Sequence, residues 1–156
     1  MKQRKTWLAV LLAVVSMAVC ALLFGCNQKT CAYTVEKNEE TLLVVKADET
    51  KTDVSLFDVL KELAEGKEIE LTYSESEYGA YITSVNGTVP DAAKGEYWML
   101  YTTLTTIEGD EMIYSSAEYG SYDLSGTVCG MANVGASSLP MVDDCYYVLA
   151  LVTLSW

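Results

Sequence analysis

The chain has no histidine, and its 156 residues include only two prolines and two phenylalanines. Without histidine there is no Ser-His-Asp triad, no Cys-His pair, no histidine zinc site and no imidazole ligand for cobalt. Most hydrolase mechanisms are therefore excluded. Carboxylate pairs, such as Glu75 with Glu77 or Asp143 with Asp144, remain as acid-base candidates. Because 22 residues are acidic, such pairs arise by chance, and we predict that the protein is not an enzyme.

Positive charge is also scarce. Ten Lys and Arg residues stand against 22 Asp and Glu residues, which gives a formal net charge of −12. No basic cluster follows Lys5, so the phosphate contacts of nucleic-acid binding are missing and no nucleic-acid partner is expected. The acids Glu108, Asp110 and Glu111 offer oxygen ligands for calcium, but they lack the spacing of an EF-hand loop. We interpret them as charges that solvate a turn, and no metal is predicted.

The N-terminal residues have the layout of an export signal. Three basic residues among the first five precede an apolar run from Trp7 to Phe24. The run ends at Leu23-Phe24-Gly25-Cys26, which resembles the lipobox of bacterial lipoproteins, where a lipid is attached to the cysteine. We predict a signal peptide over residues 1–25, lipidation at Cys26, and a domain held by its lipid anchor on the outer face of the cytoplasmic membrane. An uncleaved anchor helix is the alternative, and it places the domain on the same side.

The remainder of the chain is long enough for one domain with a modest core. Residues 26–40 are polar with little periodicity, and we predict a tether there, followed by a single domain over residues 41–156. Cleavage before Cys26 would remove three basic residues and no acidic one, so the formal charge would become −15. Such a surface keeps a domain soluble and away from anionic lipid.

One helix and several strands are predicted within the domain. Ser55 to Asp58 has the form of a capping box, and apolar residues then recur at helical spacing until Gly66. Alternating or β-branched runs predict strands at residues 41–47, 68–73, 81–85, 97–103 and 145–153, with a weaker candidate at 112–115. The run at 145–153 is apolar on both faces and is predicted to be a central strand. Ser116 to Ser138 is rich in Gly, Ser and Ala, and a loop is expected there, with at most one short strand at Gly126 to Gly130. These elements predict an α+β fold, with one helix packed on a mixed sheet.

Four segments together resemble the transcobalamin C-terminal-like domain family, whose bacterial members are often lipoproteins and whose animal members belong to cobalamin carriers. The segments are Ser55–Leu60, Gly79–Gly87, Gly95–Tyr101 and Gly135–Asp144, and the resemblance extends over about Thr41 to Leu154. It implies a β-grasp-like ligand-binding fold. The chain departs from the family pattern after Tyr101, where Thr102-Thr103 and a long insertion to Asn133 follow, and at Asp143-Asp144-Cys145.

Tyrosine is the most overrepresented residue, with 11 copies. Aromatic side chains with a polar tip suit the recognition of flat or sugar-like ligands, whereas packing within half-buried strands is the alternative explanation. The resemblance places Trp98 on the sheet surface that meets the corrin ring in the animal carriers. We predict a ligand surface made of Trp98, Tyr97, Tyr81 and Tyr78.

Cysteine is the last informative residue type. Outside the cell a disulfide is permitted, and we predict one between Cys129 and Cys145, which would close the Gly-rich segment and leave Cys31 as the odd thiol. Buried free thiols are the alternative. A bridge of this loop length would contribute about 3 kcal/mol.

The predicted function is that of a cell-surface lipoprotein that binds a small molecule noncovalently, for capture or for delivery to a transporter. A corrinoid such as cobalamin is the ligand that the resemblance implies, and no covalent cofactor is expected. The alternative is an adhesion or cell-wall interaction module, in which the same aromatic strand binds a protein or glycan partner.

Overall fold

The computed structural model describes residues 31–38, 42–50 and 53–154. In these ranges the chain forms eight strands, one α-helix and two short 3₁₀ turns at Ala92–Lys94 and Ala136–Ser138. The main elements are β1 (Cys31–Asn38), β2 (Leu42–Thr50), α1 (Leu56–Glu65), β3 (Leu71–Ser76), β4 (Gly79–Val85), β5 (Glu96–Thr102), β6 (Ser115–Leu124), β7 (Thr127–Ala132) and β8 (Tyr146–Thr153). No helix within them is long and apolar enough to cross a membrane. The predicted signal peptide and Cys26 lie outside the described residues.

The strands form one sheet of six in the order β1-β2-β8-β5-β7-β6, and a separate two-stranded sheet of β3 and β4. Every strand pair is antiparallel. The prediction of an α+β, β-grasp-like fold on a mixed sheet is therefore wrong, and the described domain is mostly β. A parallel pair needs a crossover of a dozen or more residues, usually a helix, between its strands. Here the single helix leads from β2 into a hairpin and connects no parallel pair.

The predicted helix is confirmed, together with its capping box. The Ser55 hydroxyl accepts a hydrogen bond from the Asp58 N–H, and the Asp58 carboxylate accepts one from the Ser55 N–H at 3.1 Å. The apolar face of α1 is buried through Leu56, Phe57, Val59, Leu60 and Leu63. The helix thereby covers one face of the six-stranded sheet.

Strand β8 is central, as its two apolar faces predicted, and it lies between β2 and β5. Tyr147 and Leu149 belong to the helix-side core, beneath α1. Val148 and Ala150 belong to a second core on the opposite face, together with Val44, Tyr101 and Cys129. The period-two alternation of a strand separates these residues between the two faces.

The Gly-rich segment is a hairpin of β6 and β7. The short strand predicted at residues 126–130 corresponds to β7, whereas β6 lies where a loop was predicted. Ser125 and Gly126 form the tight turn of the hairpin with φ of 52° and 93°, and the Gly126 N–H donates to the Asp123 carboxylate at 2.7 Å. A Cβ at Gly130 would lie 2.9 Å from the Ser116 backbone carbon, so glycine permits the close approach of β6. The glycines that suggested a loop are the residues that permit this hairpin.

Strand β1 lies within the segment that was predicted to be a tether. Cys31–Asn38 pairs with β2 along its length, and Val35 packs against the helix-side core. An edge strand is held by main-chain hydrogen bonds and needs few apolar residues, which is why its polar composition concealed it. Strand β1 therefore belongs to the same sheet as the strands that were predicted from residue 41 onward.

Candidate functional site: an aromatic cleft between β4 and β5

An apolar cleft of about 130 Å³ opens beside the middle of β5. One wall is Trp98 and Leu100 of β5, with Leu149 of β8 behind them. The opposite wall is β4, and the segment after β7 closes one end. The remaining lining residues are Ala80, Tyr81, Ile82, Val134, Gly135 and Ala136. The cleft thus brings together two of the residues predicted from the sequence to bind a ligand, Trp98 and Tyr81.

Trp98 is half-buried, and it has contacts of two kinds, with the core and with the cleft. Its ring packs against the helix-side core, and its indole N–H donates to the Thr88 carbonyl at 3.3 Å. It also lines the cleft. Trp98 is therefore a packing residue that also lines the cleft. The hydrogen bond holds the indole in one orientation, so that the ring offers a fixed surface to the cleft.

The β3–β4 hairpin, which carries Tyr81, is held in place at two points. The rings of Phe57 in α1 and Tyr73 in β3 meet edge to face with centroids 4.8 Å apart. The Ala80 N–H donates to the Ser137 hydroxyl at 3.0 Å. With these attachments Tyr81 stands at the cleft mouth with 65% of its surface exposed.

The other two predicted ligand residues lie away from the cleft. Tyr97 precedes Trp98 on β5, so it projects from the opposite face of the sheet, where its register partner Val152 packs on the second core. Tyr78 lies in the β3–β4 turn and is 87% exposed. Neither residue lines the cleft. Gly135 and Ala136, which also line the cleft, were not predicted from the sequence, although two small residues in succession are a signal for close approach.

The cleft has no ionisable lining residue except the Tyr81 hydroxyl. Among the described residues no group of three or more carboxylates or thiols is placed to hold a metal ion. The arrangement can therefore bind an apolar or aromatic group through ring contacts and main-chain hydrogen bonds.

The acidic groups singled out in the sequence are located elsewhere. Asp110 stabilises its own turn: its carboxylate accepts hydrogen bonds from the Met112 N–H at 3.0 Å and from the Tyr114 hydroxyl at 2.5 Å. The bond from Tyr114 lowers the pKa of Asp110 and raises that of Tyr114. Glu75 and Glu77 lie exposed on the hairpin, and Asp143 and Asp144 occupy the turn before β8. The structure thus assigns Asp110 to the turn, as expected.

Cys129 and Cys145, which were predicted to form a disulfide, are both free thiols. Strand β5 lies between β7 and β8, so the backbones of the two outer strands are about 10 Å apart. A disulfide requires Cα atoms within about 7 Å. The side chains also pack on opposite faces, Cys129 in the second core and Cys145 against the helix-side core. Burial raises the pKa of both thiols, which disfavours the reactive thiolate.

A second depression of about 180 Å³ lies on the other face of the sheet. The β6–β7 hairpin curls over that face, so Tyr122 and Leu124 border the same depression as Leu42 and Val44 of β2. Glu36 and Asp123, both exposed, stand at its edge. It is larger than the cleft, but none of the residues predicted to bind a ligand lies in it.

Comparison with known proteins gives one family match. Residues 53–102 match a family described as Domain of unknown function (DUF4430). The match covers less than half of the chain, and it contains α1, β3, β4 and β5, the elements that supply Trp98 and Tyr81. No curated protein and no solved structure shows a significant match. The chain is therefore similar to this family over the part that builds both long walls of the cleft.

Proposed function

We propose that the protein is a lipid-anchored binding protein of the cell surface, which holds a small molecule noncovalently in the cleft beside β5. The observation that carries the proposal is that Trp98 and Tyr81, from two different strands, both line one apolar cleft. Binding is the whole of the proposed activity, without a catalytic step. Capture, or delivery to a transporter, is the corresponding role in the cell.

The size of the cleft restricts how a ligand would bind. Pockets that enclose a drug-sized molecule measure roughly 300 to 1,000 Å³, whereas this cleft measures about 130 Å³. It would therefore accept one edge or substituent of a flat molecule, and the rest would lie across the exposed Tyr81 ring. A corrinoid such as cobalamin meets this description, and the resemblance to the transcobalamin C-terminal-like family makes it the first ligand to test.

Equilibrium dialysis with cobalamin, followed by its visible absorbance, tests the proposal. We expect Tyr81→Ala to weaken binding by about tenfold, since ring contacts of this kind contribute about 0.5 to 1.5 kcal/mol beyond area burial. Tyr119→Ala is the matched control, because Tyr119 is 67% exposed and lies on β6. Trp98→Phe, which keeps the packing volume better than alanine, should weaken binding as well.

Two results would contradict the proposal in different ways. An equal concentration of cobalamin on both sides of the dialysis membrane would exclude a corrinoid as the ligand. Binding that is equal in the wild type and the Tyr81 and Trp98 variants removes the cleft as the site.

Anchoring is tested separately by metabolic labelling with a fatty acid. We expect label on the wild-type chain and none on Cys26→Ala, because the thioether requires that sulfur. Equal labelling of the two chains would exclude lipidation at Cys26.

A further inference from the structure

Strand β5 is paired along one edge but only at the end of the other. It pairs with β8 from Glu96 to Thr102. Its other edge pairs with β7 only at Tyr101 and Thr102. Within the described part of the chain, no strand therefore pairs with that edge between Glu96 and Leu100.

The register shows which main-chain groups face this open edge. The Leu154 N–H donates to the Gly95 carbonyl at 2.8 Å, and the Thr103 N–H donates to the Tyr146 carbonyl at 3.1 Å. Hydrogen-bonded pairs alternate in an antiparallel ladder, so the odd-numbered residues of β5 bond to β8. The N–H and C=O of Trp98 and the N–H of Leu100 point the other way. The Glu96 N–H also points that way, but it is already bonded to the Asp91 carbonyl at 3.1 Å.

Such groups are the template for another strand. Main-chain donors and acceptors at strand spacing are complementary to an extended polypeptide, which adds itself to an exposed edge in β-augmentation. The edge of β5 carries neither a proline nor a lysine, two residues that commonly block such pairing. This edge borders the cleft along the same residues, Trp98 and Leu100.

We propose that the open edge of β5 binds an extended segment of a partner protein as an antiparallel strand, so that the partner residue opposite Trp98 exchanges both main-chain hydrogen bonds with it. A residue of that segment opposite Trp98 projects to the same face as Trp98, and so into the cleft. The cleft is lined by apolar residues such as Ala80 and Leu149, so this residue is apolar.

The residues that flank it in the partner segment are basic. Glu75 lies opposite Ala80 in the β3–β4 pair, Glu77 follows in the turn, and both side chains are exposed. No ion pair found among the described residues involves either carboxylate. The net charge of −12 also favours a basic partner segment. The inference goes beyond the proposed small-molecule function, and the two occupants would exclude each other from the cleft.

The test uses a panel of blocked pentapeptides, acetyl-Lys-Thr-X-Thr-Lys-amide, with Ala, Val, Leu or Asp at the centre. Binding to the isotope-labelled domain is followed through the backbone amide signals in NMR spectra. We expect the Val and Leu peptides to shift the signals of Trp98 and Leu100, whose N–H groups face the edge, more than that of Met99, which bonds to β8. The Asp peptide should bind more weakly than the Val peptide.

Two controls separate strand addition from simple side-chain binding. Methylation of the central amide nitrogen of the Val peptide removes its donor to Trp98 and keeps its side chain. It should weaken binding by about three- to tenfold, the equivalent of one hydrogen bond. The exposed pair Glu75→Lys and Glu77→Lys should weaken the basic peptides by a similar factor, whereas Glu118→Lys on β6 should not.

Absence of shifts with every peptide at millimolar concentration overturns the inference, as does equal binding of the methylated peptide. Shifts that are confined to β6 or to the depression on the other face also overturn it. The proposed function has a separate outcome, because cobalamin retention is measured without peptide. If the protein binds the peptides but not cobalamin, this inference is supported and the corrinoid is excluded as the ligand.

Discussion

The six-stranded sheet and its adjoining loop bury several tyrosines, whereas the β3–β4 hairpin exposes all three of its own. Tyr101, Tyr114 and Tyr147 of the sheet and its adjoining loop are buried, whereas Tyr73, Tyr78 and Tyr81 of the hairpin are exposed. The hydroxyl of Tyr147 is fully engaged: it donates to the Pro140 carbonyl and accepts from the Val142 N–H, both at 2.8 Å. Packing therefore explains the buried tyrosines, whereas those of the hairpin, like Tyr119 on β6, present their rings at the surface.

The difference follows from how each region is covered. The sheet is covered on one face by α1 and on the other by the β6–β7 hairpin. A hydrophobic core therefore lies on each face. A two-stranded hairpin is marginally stable alone, and here one face rests on Phe57 and Ser137 while the other remains open. We infer that substitutions in the sheet change stability, and that substitutions on the open side of the hairpin change recognition.

The largest effect is expected at Tyr147. Tyr147→Ala should lower the free energy of unfolding by about 3 to 5 kcal/mol, because it removes a buried ring and leaves two polar partners unsatisfied. Tyr147→Phe should cost about 1 to 3 kcal/mol through the hydrogen bonds alone. Urea denaturation followed by circular dichroism measures both. Wild-type stability in the alanine variant would contradict the assignment of Tyr147 to the core.

A smaller effect is expected at the start of α1. Ser55→Ala removes the capping hydroxyl and should cost about 1 kcal/mol. The Ser55 hydroxyl bond lowers the pKa of Asp58 below its ordinary value of 3.8. A lowered carboxyl pKa stabilises the fold above the unfolded value and loses that contribution as the pH falls through the folded value.

The loss of unfolding free energy caused by Ser55→Ala should therefore be largest above about pH 4 and become smaller in stronger acid. Denaturation of both proteins at several pH values measures this, and a cost that grows as the pH falls would contradict the capping role.

On the hairpin, Tyr78→Ala should change the free energy of unfolding by less than about 0.5 kcal/mol, because surface substitutions usually stay within that range. Tyr78 does not line the cleft, so we expect its cobalamin binding to be unchanged as well, in contrast to Tyr81→Ala. Thermal melting and the dialysis assay check both statements. A destabilised Tyr78 variant would mean that the turn packs against the sheet.

No effect at all is expected from reduction of the folded domain. A Cys129–Cys145 bridge would contribute about 3 kcal/mol, whereas two free thiols contribute none by cross-linking. Melting with and without reductant should therefore coincide, and peptide mapping should find both thiols unlinked. A lower melting temperature in reductant would show that packing alone does not hold the sheet together.

The sequence by itself determined the elements that depend on local patterns. The helix and its cap follow from Ser55, Asp58 and an apolar stripe, and the central position of β8 follows from two apolar faces, because both are properties of a short stretch of chain. Trp98 and Tyr81, which were predicted to share a ligand surface, both line the cleft. Tyr97 was grouped with them but lies on the other face of the sheet, since adjacent residues of a strand face opposite ways.

Only the tertiary structure decided how the strands pair, and with it the fold class. Strand partners are set by contacts between distant residues, so a polar edge strand such as β1 and a Gly-rich hairpin such as β6–β7 have no strong local signal. The same contacts decided that Cys129 and Cys145 lie on opposite faces, and that one edge of β5 pairs with no strand of the described chain between Glu96 and Leu100. The cleft exists for that reason: it lies where β7 turns away from β5 and β4 does not take its place.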